Sequence, residues 1–211
     1  MRISVQDAID RLSNDVVAIP TETVYGLAAR IDAPQAIEKV FTLKKRPREN
    51  PLIVHLYSHK ELYHYTDESI EDELIDYWPG PLTFILKCKN LSETITAGLS
   101  TAAFRVPNHP LTLEIIKKTG PLVAPSANLS GYPSATHYKH VENDFGIDFP
   151  VVDGGMCESG LESTIIAKSQ GKWRILRLGA ISQEALEKKL GYKPEIVKPS
   201  SKPECPGQLF K

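Results

Sequence analysis

A single α/β domain built on a mixed sheet is what this chain predicts, on three observations. Apolar runs of strand length recur, at 16–19, 52–56, 82–88 and 122–124. Segments with helical apolar spacing fall between them, at 34–43 and 111–118. Proline and glycine stand at the joins, and no internal repeat is visible. Strands mixed with helices in this way build a layered α/β fold, the sheet flanked by helices.

Taken in order, 16–19 (VVAI) reads as a short buried strand ended by Pro20, and 21–28 as a strand-to-helix loop carrying polar groups and Gly26. From Pro34, which a first helical turn accepts, Ala36, Ile37, Val40, Phe41 and Leu43 recur at helical spacing. Pro47 forbids that helix from continuing. Residues 52–56 resemble a strand, and 67–77 an acidic amphipathic helix with Ile70 and Leu74 inward, stopped by WPGP at 78–81. Strand-like 82–88 and extended 104–107 follow, then a helix at 111–118 closed by Gly120 and Pro121. Residues 122–124 run as a strand into the loop 125–131. Strands at 151–152, 163–167 and 173–178 and a helix at 182–190, capped by Gly191, complete a domain spanning 1–191. Residues 192–211, with Pro194, Pro199, Pro203, Pro206 and several lysines, read as a linker-like tail of the kind that precedes a further segment.

Composition narrows the function. At 211 residues, 41% hydrophobic and 24% charged, the chain suits a soluble globular domain. Its N-terminus lacks a secretory apolar region and no run reaches membrane-spanning length, so a cytoplasmic location is expected. Cys88, Cys157 and Cys205 are far apart and lack CxxC spacing, which argues against a disulfide scaffold or zinc site. The pairs His59/His64 and His137/His140 have no completing carboxylate or cysteine and read as surface histidines. No protein-bound transition metal is expected.

Net charge is −1, yet Lys44, Lys45, Arg46 and Arg48 fall within five residues, stiffened by Pro47 and Pro51. Such concentrated charge suits a small phosphorylated ligand better than a long nucleic-acid backbone. Complementing a helix C-terminus explains the first three cations but not Arg48 beyond Pro47. The loop PSANLSG at 125–131 follows an apolar strand, where open α/β sheets place ligand contacts, though an ordinary polar turn is the alternative. DGGMCESGLEST at 153–164 brings glycines and the hydroxyls of Ser163 and Thr164. Arg105 and Arg177 lie inside apolar runs, where a charge needs either a structural carboxylate or a ligand. No GxxxxGK[ST], GxGxxG or GxSxG occurs, and no cysteine–histidine pair or carboxylate dyad stands out. An enzyme of this kind works by holding reactive small molecules together and neutralising their charge.

Together these segments closely resemble the YrdC-like threonylcarbamoyl-AMP synthase family. The matching pieces are PTETVYGL (20–27), KKRPR (44–48), PLIVH (51–55), WPGPLT (78–83), FRVP (104–107), APSANLSG (124–131), GLESTI (160–165) and LRLG (176–179), in family order. The resemblance implies a twisted, mixed open sheet around a large positively charged cavity. It implies formation of threonylcarbamoyl-AMP and pyrophosphate from L-threonine, bicarbonate and ATP, with Mg²⁺ carried on the ATP. The product serves a tRNA threonylcarbamoyl-transferase complex that modifies adenosine 37, with at most weak tRNA contact by this chain and no membrane. By motif, Lys44, Arg46 and Arg48 look like ATP-phosphate contacts, Lys44 and Arg46 being the catalytic candidates. Thr101, Ser126, Asn128, Ser134 and Arg177 look like further nucleotide contacts. Thr21, Thr23, His55, Arg105 and Ser163 look like the threonine pocket. CPGQLFK at 205–211 resembles the start of the linker that folds over the active site in longer members.

Two other readings compete. A double-stranded RNA-binding module would use the same charge, but the net charge and the lack of basic stripes with interleaved aromatics oppose it. The related carbamoyl-transfer domain of hydrogenase maturation proteins adjoins zinc-finger regions, for which no cysteine pattern exists here.

Overall fold

Short strands form where buried, mostly β-branched runs occur, and capped helices form between them. The computed structural model describes residues 1–198 and 205–206. β1 (Arg2–Ile3) leads into α1 (Val5–Arg11), whose first turn is closed by a reciprocal Ser4–Asp7 capping box. The VVAI run then forms β2 (Val17–Ile19), buried throughout. The loop expected over 21–28 is corrected: Gly26–Arg30 is a strand, β3, antiparallel to β2. Its small residues let it lie tight against its neighbour, since a Cβ on Gly26 would stand 3.0 Å from that of Ala124.

α2 (Pro34–Lys44) ends at Lys45, whose φ of 51° is left-handed. β4 (Ile53–His55) and a 3₁₀ turn at His59–His64 follow. The helix expected over 67–77 shrinks to one turn, α3 (Asp72–Ile75), though Ile70 and Leu74 are buried as expected. Side chains compete for the backbone there. The Glu68 N–H donates to Thr66 Oγ1, the Glu68 carboxylate accepts from the Lys87 N–H, and Glu71 accepts from Trp173 Nε1. Next come β5 (Leu82–Lys87), α4 (Glu93–Thr96), β6 (Thr101–Arg105), α5 (Pro110–Thr119) and β7 (Leu122–Val123). After them stand α6 (Tyr138–Phe145), β8 (Val151–Val152), β9 (Thr164–Ser169) and β10 (Lys172–Arg177). α7 (Gln183–Leu190) is capped by Ser182 and ended by Gly191, as its sequence predicts.

The strands join in one sheet, in the order β1-β8-β2-β3-β7-β4-β6-β5-β9-β10. Parallel pairs (β1–β8, β8–β2, β4–β6, β5–β9) are mixed with antiparallel ones. Alternation along the strands sorts side chains between two faces. Val54, Phe84, Phe104 and Ile166 enter the main core with residues of α2 and α3. Ile53, Ile85, Ala103, Ile165 and Leu176 form a separate patch, against which Cys205 is buried. A second cluster packs α1 and α5 against β2 and β7.

Part of the expected linker is ordered on the sheet. Ile175 donates to the Glu195 carbonyl at 2.7 Å and Val197 donates back to that of Ile175 at 2.8 Å, so this segment runs parallel beside β10. Residues 207–211, the larger part of the CPGQLFK resemblance, lie outside the described residues. Among the described residues, no helix is long and apolar enough to cross a membrane.

Candidate active site

β4 and β6 pair in parallel with His55 opposite Arg105, on the face that carries Ile53 and Ala103. Around them gather Thr23 and Val24 from the loop before β3, Arg46 from beyond α2, and Ala124, Pro125 and Ser126 from the loop after β7. Glu162 and Ser163, just before β9, and Arg177, the last residue of β10, close the ring, with Pro206 beside them. Together they line a cleft open to solvent, about 510 Å³ when the open space at its mouth is counted.

Close backbone approach holds the walls. Leu27 N–H donates to the Pro125 carbonyl at 2.8 Å and Ala127 N–H to that of Tyr25 at 2.7 Å, so the loop after β7 is laid against the start of β3. Gly179 sits where a Cβ would meet the Glu162 carbonyl oxygen at 2.2 Å, and Ala180 N–H donates to that oxygen at 2.9 Å. No other residue fits at that crossing.

The charges are organised in pairs. Arg105, 4% exposed, donates from Nη2 to Glu22 Oε1 at 2.6 Å and from Nε to the Gly80 carbonyl at 3.1 Å. The other Glu22 oxygen accepts the Asn108 N–H at 3.0 Å. Arg177 donates to the Ser163 carbonyl at 2.9 Å and to Ser163 Oγ at 3.1 Å, and pairs with Glu162. Burial pushes the Glu162 carboxyl up, but Arg177, the Ser134 hydroxyl, Lys44 and Arg46 outweigh it and hold it below its usual range. Arg46 is spread over the Asn50 and Pro51 carbonyls, at 3.1 and 2.7 Å, and burial lowers it to about 10. Among the described residues the lining presents three guanidinium groups and one carboxylate, Glu162, which pairs with Arg177, while Arg105 is paired with Glu22 behind it. In the cavity that the resemblance implies to be positively charged, Arg105 and Arg177 are thus paired with carboxylates in this structure.

His55 is buried, and burial, then Arg105, push its pKa down to about 3, so the ring is a neutral imidazole. Nδ1 lies 3.2 Å from the Ile53 carbonyl oxygen, which can only accept. The proton therefore sits on Nδ1 and Nε2 is left as an acceptor. Ser163 Oγ stands 2.8 Å from Thr83 Oγ1, a hydroxyl pair within the wall.

Of the residues singled out in sequence, Thr23, Arg46, His55, Arg105, Ser126, Ser163 and Arg177 meet in this cleft. The other six do not line it. Thr21 shapes the loop that presents Thr23: its hydroxyl donates to the Val24 carbonyl at 2.7 Å and accepts the Thr23 and Val24 N–H groups, each at 3.1 Å. Lys44 is buried beneath the loop after β7, and burial, reinforced by Arg46 and opposed by Glu162 and Asp144, brings its amine down to about 7. Asn128 spends its amide on the Leu129 and Tyr132 carbonyls. Ser134 Oγ donates to Glu162 Oε1 at 2.9 Å. Arg48 and Thr101 also stand outside the lining. Arg48 is exposed, pairs with Glu38 and lies 4.8 Å over the Phe41 ring. Thr101, at the other end of β6 from Arg105, borders a separate depression with Lys87 and Arg174.

Glu22, Glu162 and Thr83 escaped the sequence reading although each lies inside a matching motif. The signal available was the buried arginine itself, which demands a carboxylate. Which carboxylate answers Arg105 depends on a contact 83 residues away along the chain.

Comparison with known proteins bears on the sequence and the fold. The Sua5/YciO/YrdC family model, described as "Telomere recombination", matches residues 11–179. A Bacillus subtilis threonylcarbamoyl-AMP synthase is 45% identical over 84% of this chain and 54% of its own length. A Pyrococcus abyssi threonylcarbamoyl-AMP synthase is 42% identical over 83% of this chain and 54% of its own. The crystal structure of P. abyssi Sua5 complexed with L-threonine superposes with a TM-score of 0.91 at 34% identity, covering 100% of this chain and 66% of that one. The chain thus spans about half the length of the curated relatives it matches. With a family match that covers most of the domain and a shared mixed sheet, the chain belongs to the Sua5/YciO/YrdC family.

Proposed function

We propose that this chain is a nucleotidyltransferase that makes threonylcarbamoyl-AMP from L-threonine, bicarbonate and ATP, the activated donor for modification of adenosine 37 in tRNA. The observation that carries the reading is the convergence in one cleft of seven motif residues, each from a different matching segment of the chain. The threonine amine attacks bicarbonate carbon and water leaves, giving a carbamate. A carbamate oxygen then attacks the α-phosphorus of ATP and pyrophosphate departs. Neither step needs a covalent enzyme intermediate; both need alignment and charge neutralisation.

Arg46, Ser126 and Arg177 would take the nucleotide's phosphates, guanidinium groups being suited to bidentate oxygen contacts. Arg105 would face the threonine carboxylate, with Thr23, the neutral His55 and Ser163 for its ammonium and hydroxyl. A P. abyssi relative crystallised with L-threonine supports that amino acid. Mg²⁺ would ride on the triphosphate. Glu162, the one carboxylate among the described residues of the lining, is already engaged by Arg177 and Ser134, so the donor set suits a metal that arrives with the nucleotide.

The test is incubation with ATP, Mg²⁺, bicarbonate and L-threonine, followed by mass-spectrometric detection of the adenylate. Pyrophosphate release should require both threonine and bicarbonate, with serine a poor substitute. Release that ignores threonine would sink the proposal.

A further inference from the structure

Lys44 has the sequence signature of a phosphate ligand, yet its ammonium has no donor to spare. The side chain leaves the last turn of α2 and is 2% exposed. Nζ lies 2.5 Å from the Ser126 carbonyl oxygen, 2.7 Å from that of Asn128 and 3.4 Å from Asn128 Oδ1. Two close acceptors and a third at 3.4 Å match the three N–H donors of the ammonium form, and hydrogen bonds to that form favour the charge that burial opposes. Its own carbonyl completes the clip by accepting the Ser130 N–H at 2.9 Å. Asp144 of α6 faces the same amine and takes the Leu129 N–H at 3.1 Å, so the loop is held from two helices.

We propose that Lys44 is a positioning residue that fastens the loop 126–130 and thereby sets Ser126 in the cleft, and that it is not itself a phosphate ligand. Arginine would not replace it, because a planar guanidinium spreads its donors in a fork where the loop needs them converging on one point. The functional half of the proposal rests on the nucleotide reading of the cleft; the fastening does not.

Hydrogen–deuterium exchange on the ligand-free full chain separates the two. In Lys44→Met, amides of 127–130 should exchange on the order of 10–100-fold faster, the range expected for losing hydrogen bonds to a charged donor, with the rest of the chain unchanged. Exchange in this loop equal to the unaltered protein would overturn the proposal. Affinities for AMP and ATP give the second readout: a displaced loop weakens both by the same factor. A loss confined to ATP would mark a phosphate ligand, and unchanged affinity for both would mark a purely structural residue; either outcome overturns it. If the unaltered chain binds neither nucleotide, the proposed function fails while the exchange experiment still decides the fastening. Should Lys44→Met not fold, ¹⁵N-lysine NMR of the unaltered protein decides. The Lys44 ammonium protons should be protected without ligand and remain on the loop carbonyls when ATP is added; their transfer to phosphate would refute the assignment.

Discussion

Two buried groups set the sharpest expectations at the scale of single residues. Glu22 is the buried counter-charge of Arg105, at 6% and 4% exposure. Replacing Glu22 by Ala leaves a guanidinium in the interior without its carboxylate, which costs roughly 3–5 kcal/mol. Urea unfolding should show that loss as a lower midpoint at unchanged m-value, and a loss under 1 kcal/mol would mean that Arg105 finds another partner. His55 makes stability pH-dependent. Its folded pKa of about 3 lies below the ordinary 6.5, so between these values the unfolded chain binds a proton that the folded chain refuses. Stability attributable to His55 is therefore complete above about 6.5 and is lost as pH falls toward 3. In His55→Gln the slope of unfolding free energy across that window should flatten; an identical slope would show that other groups carry it.

Between elements, glycine spacing decides how closely the walls of the cleft approach. A methyl at Gly179 would meet a backbone oxygen at 2.2 Å, whereas at Gly26 the nearest atom is the Ala124 Cβ at 3.0 Å. Gly179→Ala should therefore lower the melting temperature more than Gly26→Ala, and the reverse order would show that the turn after β10 yields more readily than the β3–β7 pair. Strand and helix positions were largely readable from the sequence because period and punctuation are local: β2, α2, β4, β5, α5 and α7 lie where apolar spacing, Pro47 and Gly191 put them. The misreadings share a cause. β3 reads as a loop in sequence because its tight packing against Ala124 is a contact between distant segments, and the 67–77 helix is shorter than its spacing predicts where Trp173 and Lys87 engage Glu71 and Glu68. The cleft was half legible for the same reason. The motifs named its arginines, serines and histidine, but whether a side chain faces the ligand or holds up a neighbour, as Thr21, Lys44 and Asn128 do, is decided by partners that no motif spells out.

For the whole molecule, the aromatic cluster ties the sheet to the layer beneath it. Phe84, on β5 in the middle of its half of the sheet, meets Trp78 edge-on at 5.0 Å and Trp173 at 5.4 Å. These are the protein's two tryptophans. Fluorescence should therefore report loss of this cluster, while far-UV circular dichroism reports all elements, and the two denaturation curves should coincide if the ten-strand sheet unfolds as one. Phe84→Ala should shift both together by about 3–5 kcal/mol. Separate midpoints would divide the sheet into independent units.

The cleft is assembled from residues as far apart along the chain as Thr23 and Pro206. Nothing resembling it exists until β3, β4, β6, β7, β9 and β10 have all found their places. A ligand bound there would therefore favour the finished protein, acting on escape from the native state more than on the rate of arrival. Occupancy becomes a brake on unfolding, and a cell rich in the ligands would extend the lifetime of molecules already made without hastening the making of new ones.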